Sequence, residues 1–245
     1  MKRLIAMTLL AGLIGLAAST NAQEAKKPAT VTPNERKDKG SADRHQKFVE
    51  IAKKGDVDVL FLGDSITAGW GQNAAWKKNF EPLKAANFGI GGDRTEHVLW
   101  RITEGKELEG ITPKAAVLMI GTNNSGSNTA EEIAEGVKTI VAELRKQKPN
   151  MKVLLLGVFP RSGMKPSDPT KVAPAEQNKK IKQINDIITK LDDGKMVIYM
   201  DINGKFLDKD GNLPKEIMPD FLHLSAKGYD IWAEAIEGKV KELIK

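Results

Sequence analysis

The sequence predicts a doubly wound α/β domain, three layers (α/β/α) built on a mainly parallel sheet of five strands. Three observations lead there. Five short apolar runs recur without the polar alternation of a half-exposed strand, as strands covered on both faces do. Amphipathic stretches with apolar residues at helical spacing lie between them. Each run gives way to glycine, proline or aspartate, the punctuation of a turn. Strands that alternate with helices imply a sheet with helices packed on both faces.

The runs fall at residues 57–62, 86–90, 115–120, 153–159 and 196–200, and are rich in Val, Ile, Leu or Phe. Residues 130–146 place Ile133, Val137, Ile140, Val141 and Leu144 on one helical face. Asn128 and Thr129 are cap candidates there, and Glu131 and Glu132 sit in the first turn. Residues 176–191 repeat the pattern with Ile181, Ile184, Ile187, Ile188 and Leu191. Residues 225–244 close the chain with Ile231, Trp232, Ala235, Ile236, Val240 and Leu243. Neither an internal repeat nor a second domain is visible.

Ahead of the domain, Lys2 and Arg3 precede an apolar stretch over 4–18 and the small and polar Ser19-Thr20-Asn21-Ala22. That is the layout of a secretory signal peptide over 1–22, cut after Ala22. Its apolar stretch is shorter than the roughly 20 residues of a membrane span. The expectation is a secreted or periplasmic protein with no stable membrane span once the signal is removed; an uncleaved anchor is the competing reading. Residues 23–40, polar with almost no large apolar side chain, read as a flexible linker, and 41–245 as the domain.

Composition removes several classes. Of the residues, 40% are hydrophobic and 29% charged, enough for a core and ordinary for a soluble domain. With no cysteine there is no disulfide, thiol nucleophile or cysteine metal site. Losing Lys2 and Arg3 with the signal lowers the formal charge from +6 to +4. Lys26, Lys53, Lys77 and Lys179 are scattered, and no basic stripe with interleaved aromatics suggests a nucleic-acid partner.

In doubly wound sheets function gathers beyond the carboxyl ends of the strands. The first run ends in Gly63-Asp64-Ser65, which puts a serine hydroxyl at a strand-to-helix turn, where a helix start favours developing negative charge. On the tripeptide alone the bland reading, Ser65 as a helix N-cap and Asp64 as a turn residue, is the favoured one. Three histidines are available as a base: His45 in a polar helix-like stretch, expected to be solvated; His97 after the second run, expected to be structural or on the surface; and His223. Asp220 precedes His223 by three residues, a spacing at which a carboxylate can hold one imidazole nitrogen while the other faces a nucleophile. A capping Asp beside a surface His is the bland alternative. Acyl transfer also needs donors for an oxyanion. The Gly91-Gly92 pair and Asn123, at the next two strand ends, are candidates, although turn roles explain each singly. Together the set points to a serine ester hydrolase.

Four blocks carry a resemblance: Gly63-Asp64-Ser65-Ile66, Gly89 to Asp93, Gly121-Thr122-Asn123-Asn124, and Asp220-Phe221-Leu222-His223. They resemble the SGNH hydrolases, also called the GDSL esterase/lipase family, from about residue 45 to the end. Asn87 to Asp93, continued by His97-Val98-Leu99-Trp100-Arg101, is most similar to the branch of type I platelet-activating factor acetylhydrolase catalytic subunits and their bacterial relatives. The resemblance implies the flavodoxin-like SGNH fold, Ser65 as nucleophile, His223 as base and Asp220 as its orienting partner. It implies oxyanion donors from the Ser65 N–H, the Gly92 N–H and the Asn123 amide. It further implies a short acyl group such as acetate, no cofactor, no metal, and a homodimer by analogy. Ile66 for the usual Leu, and Asn124 where Asp often stands, are the departures.

The expected substrate is a small-molecule or carbohydrate ester. A lysophospholipase or thioesterase of the same fold competes with it, as does a non-catalytic carbohydrate-binding module. Trp70, Trp76 and Trp100 read as cleft walls or as core. A dinucleotide fingerprint is rejected because Arg94 stands where a third glycine belongs. A metal site at Asp93 and His97 lacks further ligands.

Overall fold

The chain, in a computed structural model, is described over residues 27–161 and 174–245. The expected signal peptide, and residues 23–26 of the expected linker, lie outside the described residues. The apolar runs form β1 (Val59–Gly63), β2 (Ala85–Gly89), β3 (Ala115–Met119), β4 (Lys152–Leu156) and β5 (Val197–Met200). They make one sheet in the order β2-β1-β3-β4-β5. Every pairing is parallel, so all carboxyl ends lie at one edge.

The alternation of side chains along each strand divides the core in two. Leu60, Leu62, Ala116, Leu118, Val153 and Leu155 face one layer. That layer holds α1 (Lys39–Lys54), α4 (Thr95–Ile102), α5 (Ala130–Gln147) and α6 (Pro174–Ile188). Val59, Phe61, Val117, Met119, Leu154 and Leu156 face the other layer. There they meet Trp70, Trp76, Phe80 and the apolar face of α7 (Ala226–Leu243). Two short helices, α2 (Ser65–Ala68) and α3 (Ala74–Asn79), fill the link from β1 to β2. Trp70 and Trp76 are therefore core residues; Trp100 is half-buried against His45.

The ends of elements differ from expectation for local reasons. The fourth run was expected to reach residue 159, but β4 stops at Leu156. At Val158 the Asn185 amide takes both backbone groups, accepting from its N–H at 2.8 Å and donating to its carbonyl at 3.0 Å. α6 ends at Ile188, and a 3-10 turn carries the chain from Thr189 to Leu191. The α5 start is a capping box: Thr129 Oγ1 accepts the Glu132 N–H, and Glu132 Oε2 accepts the Thr129 N–H.

The flexible linker expected over 23–40 is corrected where it is described. Thr30 is buried, and its carbonyl accepts the Thr95 hydroxyl at 3.0 Å. The Asn34 N–H donates to the Glu96 carbonyl at 3.1 Å. Asp38 caps α1 by accepting the Ser41 N–H at 3.0 Å. Polar composition suggested solvation, but the backbone of Thr30 and Asn34 binds the domain.

Candidate active site

Ser65 owes its position to Gly63 and Asp64. A Cβ at Gly63 would lie 2.1 Å from Thr67 Oγ1 and 2.4 Å from the Met119 carbonyl oxygen, so only glycine lets α2 fold back onto the end of β1. Asp64, not Ser65, caps that helix: Asp64 Oδ1 accepts the Ile66 N–H at 2.9 Å. The Ser65 hydroxyl is thus spared capping and stands half-buried, 2.9 Å from His223 Nε2. Its N–H has no backbone partner among the described residues.

His223 is held by its own loop. Asp220 Oδ1 accepts the N–H groups of Leu222 at 3.0 Å and His223 at 2.7 Å, while Oδ2 lies 2.7 Å from His223 Nδ1. Phe221 takes a left-handed φ of 59° so that the chain can double back around the carboxylate. Burial alone raises the Asp220 pKa. The hydrogen bonds from the His223 backbone and ring and from the Leu222 N–H outweigh it, and the carboxyl is held below its usual range. An ionised Asp220 calls for hydrogen on Nδ1, which leaves Nε2 to accept from Ser65. Tyr229, from α7, donates its hydroxyl to the Ile66 carbonyl at 2.7 Å and ties α7 to α2.

Above Ser65 runs the loop after β2. Ile90 to Asp93 is a turn closed by the Asp93 N–H on the Ile90 carbonyl at 3.2 Å, with Gly92 at a φ of 80°. A Cβ at Gly91 would lie 3.8 Å from the Ser65 Cβ, so the turn sits beside the hydroxyl. The Gly92 N–H has no backbone partner among the described residues. Asn123, past β3, donates from Nδ2 to the Asp93 carbonyl at 2.8 Å, and its amide carries a second N–H. The structure thus brings Ser65, Gly92, Asn123, Asp220 and His223 to one edge. Asn124 works elsewhere: it accepts the Thr95 N–H and donates to Glu96 Oε2.

Two charged features support this edge. Asp64 is fully buried beneath Ser65, and burial pushes its pKa up to about 7. Its Oδ2 has no hydrogen-bond partner among the described residues. Arg161, half-buried, reaches the Thr122 carbonyl at 3.3 Å, and burial lowers its pKa.

Behind the Gly92 turn lies a buried ionic chain that sequence reading missed. Arg101 Nε is 2.8 Å from Asp93 Oδ2, and Arg101 Nη1 also meets Glu107. Glu107 Oε1 is in turn 2.7 Å from His45 Nδ1. His45, expected to be solvated, is only 18% exposed because Glu107 draws it inward. One signal was available: Arg101 occupies the apolar side of α4, beside Val98 and Ile102. His97 is structural; its Nδ1 accepts the Arg94 N–H at 3.0 Å. Among the described residues no three His, Asp or Glu side chains are grouped to hold a metal ion.

The profile of the GDSL-like Lipase/Acylhydrolase family matches residues 61–231. The human platelet-activating factor acetylhydrolase IB subunit alpha2 is 40% identical over 203 residues, covering 82% of this chain and 84% of that one. The human alpha1 subunit is 37% identical over 201 residues, covering 82% of each. A GDSL-like lipase from Bacteroides thetaiotaomicron superposes with a TM-score of 0.67 at 21% identity, over 82% of this chain and 97% of that one.

Proposed function

This chain belongs to the GDSL-like Lipase/Acylhydrolase family and is an ester hydrolase, and from that premise we propose that Ser65 is its nucleophile and that it removes short acyl groups, acetyl first, outside the cytoplasm. The observation that carries the assignment of Ser65 is the unbroken line of contacts from its hydroxyl through His223 to Asp220, 2.9 Å and then 2.7 Å.

On this reading His223 Nε2 takes the Ser65 proton as Oγ attacks the ester carbonyl, and Asp220 stabilises the imidazolium that forms. The carbonyl oxygen gains negative charge and is met by the N–H groups of Ser65 and Gly92 and by the Asn123 amide. His223 then gives its proton to the leaving alcohol. Water, deprotonated by the same nitrogen, attacks the acyl-enzyme; the intermediate collapses, the carboxylic acid leaves, and His223 returns the proton to the Ser65 oxygen.

The acetyl preference is supported by the 40% identity to a platelet-activating factor acetylhydrolase subunit. Export rests on the signal-peptide layout of residues 1–22. An exported acetylhydrolase meets acetylated carbohydrate and other extracellular esters, which we take as its substrates. The homodimer is carried over by analogy with the same relatives.

The test is a series of aryl esters of rising acyl length, run beside acetylated polysaccharides and lysophospholipids, with organophosphate labelling of the protein. Highest turnover on acetyl esters and stoichiometric modification of Ser65 are the expected results. A maximum at long acyl chains, or on lysophospholipids, would overturn the acetyl preference. Ester turnover with Ser65 unlabelled would overturn its role.

A further inference from the structure

The N-terminal segment reaches the proposed oxyanion site through one side chain. Arg36 spreads its guanidinium between three partners. Nε and Nη2 hold Asp38 Oδ2 at 3.0 and 2.8 Å. Nη1 lies 3.3 Å from Asp93 Oδ1 and donates to the Gly91 carbonyl. It also packs against the back of the turn, where a Cβ on Gly92 would come within 3.2 Å of Nη1.

The Gly91 carbonyl and the Gly92 N–H belong to one peptide group. Because that group is planar and trans, its C=O and N–H point in opposite directions. Holding the oxygen on one side fixes the direction of the hydrogen on the other. This peptide is the central one of the Ile90–Asp93 turn, and the Gly92 φ of 80° is the type II value. The type I alternative rotates the central peptide by about half a turn and carries the Gly92 N–H away. With glycine at both central positions, side-chain sterics do little to choose between the two. Asp93 cannot make the choice, since Arg101 already anchors its carboxylate beyond the turn.

We infer that Arg36 is a positioning residue for the oxyanion site: by gripping the Gly91 carbonyl it keeps the Gly92 N–H aimed beside Ser65, and its charge polarises that peptide into a stronger donor. This rests on the role of Gly92 proposed above. The segment that carries Arg36 is seated independently, through Thr30 on Thr95 and Asn34 on Glu96, so the guanidinium arrives preorganised.

The experiment compares wild type, Arg36→Ala, Arg36→Lys and Ser65→Ala on an aryl acetate, with thermal unfolding of each. Losing an oxyanion donor outright costs on the order of 100-fold, so a donor left free to turn away should cost about tenfold in kcat with KM nearly unchanged. Arg36→Lys, which keeps the cation, should recover part of the loss and guards against an Ala variant that does not fold. A kcat within about twofold of wild type in Arg36→Ala overturns the inference. So do equal kcat losses in both Arg36 variants that follow their fall in thermal stability, the mark of a merely structural residue. If Ser65→Ala keeps its activity, the underlying assignment of the nucleophile fails instead.

Discussion

Ser65 Oγ and His223 Nε2 stand 2.9 Å apart although 158 residues separate them in sequence. The sheet explains the meeting. β1 runs parallel to its neighbours, so Ser65 emerges at the edge to which the chain returns before α7, and the Tyr229–Ile66 hydrogen bond pins α7 to the start of α2. A pair working as one unit should not lose activity twice. Ser65→Ala and His223→Ala are each expected to lower kcat by about 10,000-fold or more, and the double variant to fall no further than the worse single one. Steady-state kinetics on an aryl acetate decide it; multiplicative losses would show independent groups.

Asp220 holds His223 through two backbone N–H groups as well as the ring. Asp220→Asn should keep the loop folded, because Asn Oδ1 can still accept both N–H groups. It replaces the ring's acceptor with an N–H donor, which favours the wrong tautomer. The expected loss is about 1,000- to 10,000-fold in kcat with little change in thermal unfolding. A loss that tracks unfolding would mean that Asp220 only shapes the turn.

Much of this site could be read from the chain. The three central strands announced themselves because both faces are buried, the partly exposed edge strands by their apolar runs, Ser65 because it follows β1 at the start of α2, and His223 because it precedes α7. What stayed hidden was the ionic support. Arg36 and His45 come from one segment and Asp93, Arg101 and Glu107 from another; helical periodicity puts Arg101 on the apolar side of α4 but does not say which charges it will meet there. Residues 27–40 misled for a related reason: they bury few apolar groups, and their order comes from hydrogen bonds to α4 and the Gly92 turn.

Asn123 joins two strand ends by donating to the Asp93 carbonyl, and its second N–H is the one assigned to the oxyanion. Asn123→Ala removes both. The part felt in the transition state should lower kcat by roughly 100-fold, with KM changed far less. A rise in KM at constant kcat would place the amide in ground-state binding instead.

Asp64 sets a pH dependence of stability whose sign follows from its burial. Its pKa rises from 3.8 to about 7 in the folded protein. Between those values the folded state keeps a proton that the unfolded state has released, so stability is fully present near pH 4 and declines as pH climbs to 7. At about 1.4 kcal/mol for each pH unit, the decline amounts to about 4 kcal/mol. Asp64→Asn keeps an acceptor for the Ile66 N–H and is neutral at every pH, so it should abolish this slope while leaving other titrations in place. Denaturant unfolding of both proteins from pH 4 to pH 8 measures the difference. The curves should lie closest near pH 4, with the Asn variant progressively more stable relative to wild type up to pH 7. A constant gap would mean that Asp64 is already ionised beneath Ser65 at pH 4, and that the buried carboxylate finds its stabilisation in the Ile66 N–H and the positive charge of Arg161.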